Sequence, residues 1–179
     1  MTIDVCVADL DAPVEFDPVL TTAERARAAQ FLDPRACRRW IASRGWLRMA
    51  LSRYTGRAAE ELTFAAGLLD KPSLADSAVH FSVSRSGSRA VYAISEERSV
   101  GVDIEEMGRE SDAFLRDWTA REAYLKATGL GLASGMPLPR SGWTIRHIDA
   151  AAGFVCAAAA DAPDVKFSVR SLCATADPD

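Results

Sequence analysis

Apolar and polar residues alternate from Ile3 to Leu10, a pattern that predicts an opening strand. Thr21 or Thr22 is suited to cap a helix whose first turn holds Glu24. Pro34 interrupts that helix and suits the first turn of the next. From Arg35 to about Tyr54, Trp40, Leu47 and Leu51 recur at helical spacing until Gly56 stops the run. Leu62 to Ala66 reads as a short strand, followed by a loop around Asp70-Lys71-Pro72. Val79 to Ser84 and Ala90 to Ser95 read as strands around a turn at Gly87, and Val100 to Glu105 as the next strand. Ser111 is placed to cap a helix that carries Trp118 to Thr128 and ends at Gly129 and Gly131. Trp143 to Ile148, Phe154 to Ala159 and Val165 to Leu172 predict three more strands, before a frayed tail at residues 177–179.

The order strand–helix–strand–strand thus occurs about twice in an α+β chain, although no internal sequence repeat establishes this independently. With 179 residues, of which 49% are hydrophobic, the chain has room for a proper core. The formal net charge of −4 argues against bulk nucleic-acid binding. No apolar run is long enough to span a bilayer. The first residues have neither a basic flank nor an apolar signal core, so a cytoplasmic protein is expected. Cys6, Cys37, Cys156 and Cys173 lack metal-ligand spacing and are expected to be buried, reduced thiols.

The chemistry concentrates in two short strings. Asp103 and Glu105 lie two apart in a predicted strand and so project from one face. Glu122 and Lys126 lie four apart in a predicted helix and share a face there. A strand with two hard oxygen ligands facing a helix with a third is a candidate magnesium site, with a lysine one turn away for a phosphate or leaving group. Each pair alone has an ordinary explanation: a solvated strand face, or a helix surface pair contributing about 0.2–0.5 kcal/mol. Nine of the eighteen arginines fall between Arg25 and Arg57. Arg25, Arg27, Arg53 and Arg57 read as a solvated face whose stems cover apolar surface. His80 and His147 read as surface or satisfied histidines.

The complete strings carry a resemblance. Val100-Gly101-Val102-Asp103-Ile104-Glu105, followed by the run from Trp118-Thr119-Ala120-Arg121-Glu122-Ala123-Tyr124-Leu125-Lys126 to Leu132, resembles the 4′-phosphopantetheinyl transferases of the Sfp type. Lys71-Pro72, then Phe81 to Ser86, and upstream the arginine-rich helix from Cys37 to Arg48, are similar to pieces of that family in the family's order. The resemblance spans about residues 35 to 132. It implies two similar α+β halves related by pseudo-twofold symmetry, here 1–98 and 99–179, with the active site at their interface.

The implied reaction moves the 4′-phosphopantetheine arm from coenzyme A to a serine of an acyl or peptidyl carrier protein and releases adenosine 3′,5′-bisphosphate. By resemblance, Asp103, Glu105 and Glu122 hold magnesium. Glu122 serves as base, directly or through water, and Lys126 meets the departing bisphosphate. Arg39 and above all Arg44 face the 3′-phosphate of coenzyme A, where guanidinium forks match phosphate oxygens, while Arg48 is one turn farther along and placed to support the fold. Lys71, Ser84, Arg85 and Ser86 complete the coenzyme contacts. Both halves in one chain imply a monomer.

Two departures stand out. Arg85 replaces the family's usual histidine between two serines; it keeps the positive charge and offers more donors. Only sixteen residues separate Glu105 from Glu122, where the Sfp type carries a longer carrier-docking segment, and Phe114 and Leu115 are its possible remnants. The competing expectation is a catalytically weak protein of the same fold that binds coenzyme A or a carrier domain without transferring the arm.

Overall fold

The computed structural model describes residues 1–66, 71–130 and 141–173, and most of its elements lie where the sequence predicts them. Strand β1 is Thr2–Asp9. Helix α1, Thr22–Ala28, opens with a reciprocal capping box between Thr21 and Glu24. Helix α2, Pro34–Thr55, is capped by Asp33 and stopped by Gly56 at φ 65°, a left-handed conformation that favours glycine. The ribbon β2 (Phe64–Ala66) and β3 (Pro72–Leu74) leads to β4 (His80–Ser86), β5 (Arg89–Ser95) and β6 (Val100–Glu106). Helix α3, Asp112–Thr128, is capped by Ser111 and stopped by Gly129 at φ 70°. Strands β7 (Thr144–His147), β8 (Phe154–Ala160) and β9 (Lys166–Ser171) follow. The expected second helix stop at Gly131, and the tail at 177–179, lie outside the described residues.

The strands form a four-stranded sheet in the order β4-β5-β1-β9, a three-stranded sheet in the order β6-β8-β7, and the small β2-β3 ribbon. The two larger sheets are wound alike. In the first, β1, α2, β4 and β5 follow one another in sequence and pair as β4-β5-β1; in the second, β6, α3, β7 and β8 pair as β7-β8-β6. The exception is β9, which runs parallel to β1 at the edge of the first sheet. β3 lies in the segment read as a loop from sequence. Pro72 cannot donate to a ladder, which confines it to a short edge ribbon opposite Ala66.

Period-two alternation stacks these parts in four layers. On β1, Cys6 and Ala8 point toward α2, where they join Trp46, Leu47, Leu51, Phe81 and Tyr92. Ile3, Val5 and Val7 point the other way, onto Val100, Val102 and Ile104 of β6 and Cys156, Ala158 and Ala160 of β8. The far face of β8, Ala157 and Ala159, packs against Ala123, Tyr124 and Ala127 of α3. The order is therefore helix, sheet, sheet, helix. Each large apolar side chain fully buried this way contributes about 1.5–3 kcal/mol.

Where the two sheets meet, serine hydroxyls bridge β4 to β6. Ser82 Oγ accepts from the Val102 amide at 3.1 Å, and Ser86 Oγ accepts from the Glu106 amide at 3.0 Å. All four cysteines are free; Cys6 and Cys156 are buried, as expected, but Cys37 is half-buried and Cys173, past the end of β9, is exposed. No helix among the described residues is long and apolar enough to cross a membrane.

Candidate active site

The acidic strand is not a solvated face. Asp103 is 3% exposed, because α3 lies across that face of β6. Gly101 makes the approach possible. A Cβ there would collide with the backbone carbonyl of Ala123 and the amide of Ala127, so only glycine lets the helix descend onto the strand. The small residues of β8 under α3 act in the same direction.

This seating brings Lys126 to Asp103. Its Nζ donates to Asp103 Oδ1 at 2.6 Å and to Ser84 Oγ at 3.0 Å, while Ser84 Oγ donates to the same Oδ1 at 2.7 Å. Ser86 Oγ donates to Glu105 Oε2 at 3.0 Å. The alternation of Ser84 and Ser86 on β4 thus matches that of Asp103 and Glu105 on β6. Burial raises the Glu122 carboxyl above its usual range; the charges of Asp103 and Glu105 push the same way, and the Lys126 ammonium opposes them. The helix carboxylate Glu122 therefore feels both carboxylates of the strand.

Two carboxylate oxygens here, Asp103 Oδ2 and Glu122 Oε1, are buried with no hydrogen-bond partner among the described residues. An acceptor left in that state is costly, and a hard divalent cation takes oxygens of this kind. Among the described residues no three His, Cys, Asp or Glu side chains stand together as a ready-made metal site, and the nearest positive charge to Asp103 is the Lys126 ammonium. The donor chemistry fits a magnesium ion; the ammonium holds one of the oxygens that such an ion would compete for.

Beside this acidic seam opens a cleft of about 390 Å³, lined by Trp40, Arg44, Pro72, Ser84, Arg85 and Lys126 among others. Four of the residues expected from sequence to serve the coenzyme or the leaving group therefore share one wall: Arg44, Ser84, Arg85 and Lys126. Arg85 is exposed and makes no hydrogen bond or ion pair among the described residues. Arg44 is anchored to Glu24 and lies over the Phe64 ring, 3.8 Å from its centroid.

Two expected contacts lie elsewhere. Arg39 grips Asp11 through two 2.7 Å bonds, with Arg35 on the same carboxylate at 3.0 Å, and it does not line the cleft. Lys71 Nζ donates to the carbonyls of Val100 at 3.0 Å and Ala127 at 3.3 Å, in a neighbouring cavity that shares Pro72 with the cleft. Burial lowers its ammonium to about 8. Arg48 is 2% exposed and bonds Glu24 and the carbonyls of Ala59 and Leu62, the supporting role its position implies. His80 and His147 are exposed. Asp11 and Glu24 were not singled out from sequence, because partners twenty or more residues away leave no local spacing to read.

No family model matches the chain. It is 33% identical over 145 residues to the 4′-phosphopantetheinyl transferase HetI of Nostoc sp., a match covering 64% of this chain and 61% of that protein. It is 26% identical over 162 residues to slr0495 of Synechocystis sp., itself only provisionally assigned as a 4′-phosphopantetheinyl transferase, with coverage of 74% and 66%. The chain thus matches less than two thirds of the length of either relative. Over these lengths the chain is similar to proteins named as 4′-phosphopantetheinyl transferases.

Proposed function

We propose that the protein is a 4′-phosphopantetheinyl transferase of the Sfp type. It moves the phosphopantetheine arm of coenzyme A to a serine of an acyl or peptidyl carrier protein, depends on magnesium, and releases adenosine 3′,5′-bisphosphate. One observation carries this reading: Asp103, whose Oδ2 is buried and has no partner among the described residues, is bonded by Ser84 and Lys126, which line a cleft together with Arg44 and Arg85. Opposite charges so divided suit a substrate with anionic oxygens on one side and a cation on the other.

In this reading Asp103, Glu105 and Glu122 hold the magnesium, which when bound neutralises charge on the coenzyme's diphosphate. The carrier serine oxygen bonds to the phosphorus bearing the pantetheine arm as the bridging P–O bond of the diphosphate breaks. Glu122 receives the serine proton, and burial raises its proton affinity, the direction that strengthens a base. Lys126, now paired with Asp103, would meet the departing bisphosphate oxygen with its ammonium. Arg44 and Arg85 hold phosphate in the same cleft, with Ser84 and Ser86 flanking Arg85 in the chain. Arg39 and Lys71 join them only by leaving their present partners. The units 1–98 and 99–179 form the two pseudo-symmetric halves, the site lies at their interface, and the protein works as a cytoplasmic monomer.

The test is the mass of an apo-carrier protein incubated with the protein, magnesium and coenzyme A. Gain of the phosphopantetheine mass, lost on chelation, is the expected result. Tight coenzyme A binding with no gain on any carrier would favour the binding-protein alternative, for which the Lys126–Asp103 pair is the supporting observation.

A further inference from the structure

We propose that Glu24 is a positioning residue of the anion site: it clamps Arg44 from behind so that the outer edge of the guanidinium faces the cleft. Arg44 is attached to Glu24 Oε1 through Nε alone. Its two terminal nitrogens make no hydrogen bond among the described residues, and its side chain lines the cleft beside Arg85 and Lys126. The plane is fixed from a third direction by the Phe64 ring beneath it. A guanidinium held at Nε and on one face presents its remaining donors as a fork, the geometry that matches phosphate oxygens.

Glu24 is itself unusually well held. It is 8% exposed. Its Oε2 accepts from Arg48 Nε at 2.8 Å and from the Thr21 amide at 2.9 Å, so the capping box of α1 doubles as the anchor. Arg48 is fastened in turn to the Ala59 and Leu62 carbonyls at 2.6 and 2.9 Å. Burial would raise the carboxyl, but the hydrogen bonds from Arg48, Thr21 and Arg44 outweigh it and hold it at about 2, so it stays ionised. One carboxylate between two guanidiniums leaves a net positive charge, and the carboxylate lies on the Nε side, away from the fork. This assignment rests on the proposed coenzyme A reading for the identity of the anion, but not for the clamp.

The experiment is calorimetric binding of coenzyme A to the intact protein and to E24Q, R44A and the double variant, with thermal melts of each. E24Q and R44A should each weaken binding about tenfold, and the double variant should bind no more weakly than R44A alone. A residue that only stabilises the fold would weaken binding further in the R44A background. Additive losses, unchanged affinity in E24Q, or tighter binding in E24Q would each overturn the clamp; the last would mean the ligand feels the carboxylate's charge rather than its grip. Should E24Q not fold, F64L removes the platform while leaving the cap intact, and the same cycle with R44A decides. The binding cycle needs no turnover, so an inactive but coenzyme-binding protein would refute the transferase reading and leave the clamp to be judged on its own.

Discussion

The two similarly wound layers of this protein carry opposite chemistry. The first sheet and its helix α2 bring Arg44 to the cleft with Arg85; the second sheet and its helix α3 carry the carboxylates Asp103, Glu105 and Glu122, and Lys126, which reaches the cleft. Their local physics differs as much as their sign. Arg44 is aimed by Glu24 and Phe64 and Arg85 is exposed, whereas Asp103 is sealed under a helix with an oxygen that no described residue bonds. One winding order can thus build a rim that recognises anions and a seam suited to chemistry, the difference resting on a glycine and a few serines.

The acidic side should be the less forgiving. D103A or E122A is expected to lower transfer about a thousandfold with the fold retained, read from the carrier mass gain and circular dichroism. Wild-type-like rates in either variant would remove that side from the chemistry. Next comes the packing that creates the seam. G101A forces α3 away from β6 against backbone atoms, and should destabilise the protein by about 2 kcal/mol in urea melts and reduce transfer with it. Unchanged stability would mean that the helix has room to spare.

The cationic side should show graded losses. R85A is expected to raise the KM for coenzyme A about fivefold while leaving kcat within about twofold, the signature of lost ground-state binding. An unchanged KM would show that Arg85 serves another surface. The smallest effect concerns Lys71, a cation of the first half anchored on carbonyls of the second. Burial lowers its folded pKa to about 8 from the ordinary 10.5. Between these values the unfolded chain holds a proton that the folded one has released, so stability should rise with pH through that window and level off above it. The midpoint of urea unfolding, followed from pH 7 to 11, should show that rise in the wild type relative to K71M; parallel curves would disprove it.

The strands and helices were largely legible because caps, glycine stops and alternation are local signals: Thr21, Ser111, Gly56 and Gly129 each sit where the sequence puts them. β3 was not, because proline at its start looks like a loop. That Asp103 and Glu105 share a strand face, and Glu122 and Lys126 a helix face, followed from two periodicities, yet the ion pair of Asp103 with Lys126 and the burial of Asp103 did not. Its one sequence trace is Gly101, on the same face two residues earlier, where a missing side chain allows close approach. The present partner of Arg39 was not legible for a related reason. Its helix is readable, but Asp11, which holds it, lies 28 residues upstream and shares no spacing with it. The joining of β9 to β1 had no local signature at all.

That last pairing has a consequence for how the molecule is made. Thr2 sits opposite Lys166 and Val7 opposite Ser171, and Arg170 forms an ion pair with Asp4. On the ribosome, β1 therefore waits with an open edge until almost every other element has emerged. Closure of the first sheet falls late, and pairing across such a span is the slow kind. Cutting away residues 166–173 would leave every cleft residue in the chain but strip β1 of its outer neighbour, turning an inner strand into an adhesive one.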